Sequence, residues 1–180
     1  MNMTKRNDFI WKAIQTACWF FLAGYCVQAG ALLFNFVYSL FKPIATHNLH
    51  LGLDLSELFA KNKSVYAFVL ITIIGISALK AYVFVIVIRL FKILNLVKPF
   101  SEKVSEIITR ITWYAFSIGI ISLVVQEIIK RISEKGYNTG LAEKYWNDGG
   151  AYLMMSAILF VIALIFQKGI ELQKENELTV

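Results

Sequence analysis

Charged residues punctuate this chain at long intervals, and the stretches between them are apolar. Ala13–Phe41 carries no Asp, Glu, Lys or Arg and lies between Lys12 and Lys42. Ser64–Ile88 is interrupted once, by Lys80. Ile111–Gln126 lies between Arg110 and Glu127, and Gly149–Gln167 between Asp148 and Lys168. A helix needs about 20 apolar residues to cross a bilayer, with a range of about 17–25. The third run is short by that measure, but Ile107, Ile108, Ile128 and Ile129 extend its apolar length. Backbone polar groups in lipid must be satisfied within the segment, so all four runs are predicted as helices.

The expected fold is therefore an all-α integral membrane protein, an antiparallel bundle of four transmembrane helices in one domain. The spans fall at about 13–38, 65–88, 108–129 and 149–167. Two outer loops (42–63 and 130–148), a cytoplasmic hairpin (89–110) and a cytoplasmic tail (168–180) complete the chain. Composition agrees: 58% of the 180 residues are hydrophobic and 17% charged, against about 45–50% and about 25% in soluble domains. The first apolar run continues through Phe41, longer than the about 7–15 residues of a signal peptide, so it is expected to stay attached.

Orientation follows from Lys and Arg in the flanks. Ten lie at the N-terminus, in the hairpin and in the tail, and seven in the two outer loops. The bias puts both termini in the cytoplasm, with the inner (plasma) membrane of a bacterium as the expected location. The net charge of +6 is spread over span ends rather than gathered in a stripe. It suits anionic lipid and no direct contact with nucleic acid. Trp11, Trp113, Trp146 and Tyr66 lie near span ends, as interfacial aromatics do. Cys18 and Cys26 are about 12 Å apart along one helix, too far for a disulfide.

The segments between spans carry their own signals. Asp54 and Glu57 have the spacing of a helix cap, and Leu55, Leu58 and Phe59 share a face, which predicts a short interfacial helix. The second outer loop, with Gly136 and Gly140, reads as a plain loop. Pro99 breaks the helix before it, and Ser101 caps the next. Val104, Ile107, Ile108 and Ile111 then form an amphipathic stripe. The hairpin is thus expected to project past the bilayer with Phe100 near its tip. It is either a docking surface or a topology anchor that packs on itself.

Lys80 is the sharpest candidate, because an ionisable group inside a span marks function by default. It sits about 12 Å from Ile88. No acid is expected at its depth, where the neighbouring spans offer Tyr25, Tyr114, Ser117 and Ser156. Lys80 is then expected to snorkel toward the headgroups, bond to hydroxyls or line a wet cavity. Gln28 and Asn35, seven residues apart on one helical face, are candidate binding residues or polar glue between helices. Ala115 and Gly119 make a small-residue step that favours close packing. His47 and His50 beside Asp54 and Glu57 lack a third strong ligand at fixed spacing, so no metal is expected.

No metalloprotease, serine-hydrolase, phosphate-loop or dinucleotide motif occurs, and no pair of acids lies within a span. The chain reads as non-enzymatic and without a cofactor.

The stretch Phe166–Val180 and the segment Lys98-Pro99-Phe100-Ser101-Glu102 together resemble the YoaS-like family of small bacterial membrane proteins, domain-of-unknown-function family 2975. The resemblance covers nearly the whole chain. It implies a four-helix bacterial inner-membrane protein and brings no assigned activity. Family members are often encoded beside a small helix-turn-helix regulator, which implies a cytoplasmic DNA-binding protein as partner. Lys80 fits the family pattern without gaining a role from it.

The acidic tail offers Glu171, Glu175 and Glu177 to Arg89, Lys92, Lys98 and Lys103 of the hairpin, a contact weak enough for a partner to displace. The function expected is binding or regulation of a cytoplasmic partner through Arg89, Lys92, Lys98, Pro99, Phe100, Glu171 and Glu175. The alternative is a small transporter or channel component using Lys80. Membrane lipids and a second copy of the chain are the other expected partners.

Overall fold

The computed structural model describes residues 3–94 and 99–178. Among the described residues, five α-helices carry the fold: α1 (Met3–Phe41), α2 (Ser56–Lys61), α3 (Lys63–Ile93), α4 (Glu102–Glu134) and α5 (Gly149–Leu178). Single 3-10 turns follow α1 (Pro43–His47) and precede α5 (Gly140–Tyr145). No strand occurs among the described residues. Four of the helices, α1, α3, α4 and α5, are long and apolar enough to cross a membrane. At 1.5 Å per residue the 39 residues of α1 span about 58 Å and the 30 of α5 about 45 Å. Both exceed a hydrocarbon core of about 30 Å, so each helix continues beyond it.

Local chemistry sets the helix ends. Pro43 stops α1 and opens the first 3-10 turn. Asn62 starts α3 by accepting from the amides of Ser64 (3.0 Å) and Val65 (3.2 Å). Ser101 starts α4 by accepting from the amide of Val104 (3.4 Å). Gly136, at φ +83°, provides the left-handed residue just past α4.

The long helices pack in chain order, α1 on α3, α3 on α4 and α4 on α5. Trp11 meets Phe91, Phe21 stacks on Phe84, Gln28 bonds to Ser77 and Ser39 to Tyr66. Numbers rise along α1 as they fall along α3. Small residues bring α4 and α5 together. A Cβ on Gly119 would lie 2.7 Å from the side chain of Leu153 and 3.0 Å from its amide nitrogen. Ala115, one turn earlier, is fully buried. The amphipathic stripe of α4 also faces inward. Val104, Ile108 and Ile111 are buried, against Leu90 and Ala163 among others. Outward faces are strongly apolar, with Phe20, Phe34 and Phe41 of α1 largely exposed, as lipid contact requires.

The largest core lies at the end that carries the two long loops. Leu49, Leu53, Leu55, Leu58 and Phe59 from the first loop and α2 pack with Ala142, Tyr145 and Trp146 from the second. Tyr66, Val69, Leu70 and Ile73 of α3 complete this cap. Two expectations change here. The second loop is a packed element rather than a plain one, and the apolar face of α2 enters protein rather than lipid. Trp146 and Tyr66, expected at the lipid interface, are 0% and 1% exposed. The loops converge on them and bury more apolar surface than an interface would. Trp113, 63% exposed, keeps an outward position.

Asp54 does not form the expected reciprocal cap. Its carboxylate accepts from the amide (2.9 Å) and hydroxyl (2.6 Å) of Ser56, while Glu57 pairs with Lys61. These bonds hold the Asp54 carboxyl below its ordinary value. Cys18 is buried, Cys26 exposed, and both are free thiols.

Candidate functional site

Lys80 lies at the middle of α3 and is 4% exposed. Its ammonium donates to both carboxylate oxygens of Asp148, at 2.9 and 2.7 Å, and to the backbone carbonyl of Tyr145 at 3.2 Å. Three protons thus meet three oxygens. The rings of Tyr152 and Tyr25 flank the charge, with centroids 5.3 and 5.9 Å from Nζ. Both are within the distance at which an aromatic face attracts a cation.

This corrects the expected surroundings of Lys80. An acid does reach it, and the ammonium is tied to the loop end instead of snorkelling toward the hairpin. The cause lies in where α5 begins. Gly149 packs so closely on α4 that a Cβ would stand 2.8 Å from the Cβ of Ser122 and 3.2 Å from the Gly119 carbonyl. Helix α4 runs on from Ser122 to Glu134, a further 18 Å or so. Asp148, which precedes Gly149, therefore sits well inside the bundle rather than at its end. The pair Gly149-Gly150 directly after an acid is the signal of this in the sequence.

The pair closes one side of a polar pocket of about 260 Å³. Tyr25 and Gln28 line it from α1, Lys80 from α3, Leu51 from the first loop, and Lys144, Tyr145 and Asp148 from the second. The Asp148 side chain is 35% exposed and that of Lys80 5%, so solvent reaches the acid and not the base. Lys144 donates to the Leu51 carbonyl at 3.0 Å, and the Tyr145 hydroxyl to the His50 carbonyl at 3.2 Å. Both bonds stitch the second loop to the first. Partial burial and Lys144 together hold the His50 imidazole below its ordinary value. Behind this layer, Trp146 Nε1 and Ser122 Oγ are buried with no hydrogen-bond partner among the described residues.

The other residues singled out from the sequence divide between two places. Gln28 joins the pocket, and its amide nitrogen donates to Ser77 Oγ at 2.6 Å. Asn35 does not join it. Its side chain donates to the Leu49 carbonyl and fastens the first loop to α1. His47 approaches Asp54 at 3.6 Å, and no group of three metal-ligating side chains occurs among the described residues.

At the hairpin end, Phe100 packs edge-on against Phe166 with centroids 5.3 Å apart. It also lies directly over Gly169, where a Cβ would come within 2.5 Å of the ring. Pro99 and Phe100 precede the Ser101 cap that launches α4. A charge contact of the opposite sign to the expected one joins tail and hairpin. Tail Lys174 pairs with hairpin Glu102 at 2.7 Å, while Glu171 pairs with Lys168 inside the tail. Arg89, Lys92 and Lys103 form no ion pair with a described residue, and Lys98 lies outside the described residues. The docked tip of the hairpin brings its acid Glu102 alongside the tail. A groove of about 1000 Å³ opens beside Phe100, lined by Leu164, Ile165, Gly169 and Leu172 with Lys168, Gln173 and Asn176.

A family model, described as a protein of unknown function (DUF2975), matches residues 50–180. The chain belongs to this family. No curated protein and no solved structure matches the chain. The matched DUF2975 region contains Lys80, Asp148, the hairpin and the tail. Tyr25, Gln28 and Asn35 of α1 precede it.

Proposed function

We propose that this DUF2975 protein is a non-enzymatic protein of the bacterial inner membrane that binds a cytoplasmic partner through its hairpin tip and tail. In this reading α1, α3, α4 and α5 form an antiparallel bundle with both termini in the cytoplasm. The single observation that carries the reading is the joint surface of hairpin and tail. Phe100 rests on Gly169, Lys174 holds Glu102, and the apolar groove beside them runs past the basic end of the span at Lys168. Leu172 is 60% exposed there and Phe100 38%. Apolar surface beyond the lipid is a usual mark of a protein contact. A small helix-turn-helix regulator is the partner that the family resemblance suggests.

The test is a photo-crosslinking residue at Leu172 in the native cell, with a second at Phe100. One soluble protein captured at both positions, with capture at position 100 lost on Leu172→Lys, supports the reading. Capture of lipid or of the chain itself alone overturns it. The transport alternative draws on the polar pocket that reaches Lys80. It requires the Lys80–Asp148 pair to open during the cycle, and unchanged transport in Lys80→Met would remove it.

A further inference from the structure

We propose that the pocket between α1 and the second loop binds a small anionic group of the phosphate class, with Lys144 as its principal contact. Charge and unused donors point to such a group. Two ammonium groups and one carboxylate line the pocket. Lys80 and Asp148 neutralise each other, and the protons of Lys80 are spent on Asp148 and the Tyr145 carbonyl. Lys144 forms no ion pair with a described carboxylate. It donates to the Leu51 carbonyl, and two of its three protons remain for a ligand. The pocket therefore carries an excess positive charge.

A neutral donor stands beside it: Tyr25 lines the pocket and carries a phenolic hydroxyl. A volume of about 260 Å³ suits a group of a few heavy atoms and excludes a large solute. The other ionisable groups facing Lys144 leave the sign unchanged. Asp148 is compensated, and His50 adds either nothing or further positive charge.

Phosphate reaches such a site from two sources. It can be free in solution, or it can belong to the headgroup of a lipid entering from the side. A lateral route would run between α1 and α5, which form no extensive contact among the described residues.

The experiment uses the full chain in nanodiscs of neutral phosphatidylcholine, then in discs containing phosphatidylglycerol. Thermal stability is followed against inorganic phosphate at constant ionic strength, and retained lipid is counted by native mass spectrometry. Saturable stabilisation by phosphate in neutral discs identifies a free anion. Selective retention of phosphatidylglycerol without a phosphate effect identifies a headgroup. In either case Lys144→Gln weakens binding by about tenfold or more, the loss expected for a charge-assisted hydrogen bond. Lys144→Arg retains binding, and Lys130→Gln, a surface change elsewhere on the same end, leaves it unaltered. Neither phosphate stabilisation nor lipid selectivity, or equal loss in Lys130→Gln and Lys144→Gln, overturns the proposal.

Discussion

Lys80 and Asp148 are 68 residues apart in sequence and 2.7 Å apart in space. The contact joins the middle of α3 to the loop before α5, and so fixes how far the second loop descends into the bundle. Such a pair is not in itself strong evidence of stabilisation. Two charges leaving water cost about as much as their attraction returns, whereas removing one partner strands the other. Asp148→Ala is therefore expected to destabilise the protein by about 2–4 kcal/mol, somewhat below the value for a fully dry pair because the acid is one-third exposed. Lys80→Met with Asp148→Leu should recover most of that loss. Denaturation of the purified protein in mild detergent, run as a double-mutant cycle, checks both. Additive losses would mean that the two side chains act separately.

Glycines make a sharper contrast. Gly119→Ala forces a methyl group into the Leu153 side chain and close to its backbone, and should cost about 1–3 kcal/mol. Gly75, in the interior of α3, is different: a Cβ added there would meet nothing within 4 Å. Gly75→Ala is expected to be neutral or to stabilise by up to about 1 kcal/mol through helix propensity. Thermal unfolding of the two variants side by side is sufficient. Equal effects would contradict the close α4–α5 packing.

The four long helices are legible in the sequence because charges frame each apolar run and nothing in lipid but helix satisfies so long a backbone. Pro43, Pro99 and Ser101 also mark their turns. The site is only half legible. Lys80 and Gln28 stand out as polar residues in apolar surroundings, but the partner of Lys80 does not. Depth counted from the ends of apolar runs puts Asp148 at the membrane edge. Its true level depends on how α5 slides along α4, which small residues at Gly119, Ser122 and Gly149 decide. Trp146 misleads for a related reason. An aromatic near a span end looks interfacial until a neighbouring loop folds over it, and loop–loop contacts such as Lys144 to Leu51 leave no periodic trace.

The cap also predicts resistance to cleavage. Trp146 is fully buried where both loops meet, so Trp146→Ala should cost about 3–5 kcal/mol and loosen them together. Trypsin added to the loop end should cut the variant at Lys61, Lys135 or Lys144 much faster than the parent protein. Mass spectrometry of the first fragments identifies the sites. Fast cleavage of the parent at the same bonds would show that the loops are not packed as described.

Acid should loosen the same cap through His50. Partial burial and the nearby Lys144 lower the proton affinity of its imidazole in the folded chain. An unfolded first loop takes up that proton near the ordinary value of 6.5, and the folded loop only at lower pH. The unfolded state thus binds more protons in the window below 6.5, so stability is full above it and declines as pH falls through it. Asp54 adds a second step of the same sign at lower pH. Its depressed carboxyl stabilises the loop above the ordinary value of 3.8 and loses that contribution as it protonates. Melting temperatures between pH 7.5 and 5.5 should therefore fall for the parent protein. They should fall less for His50→Gln, which keeps a polar side chain but has no proton to gain. An identical decline in both would assign the acid sensitivity to other groups.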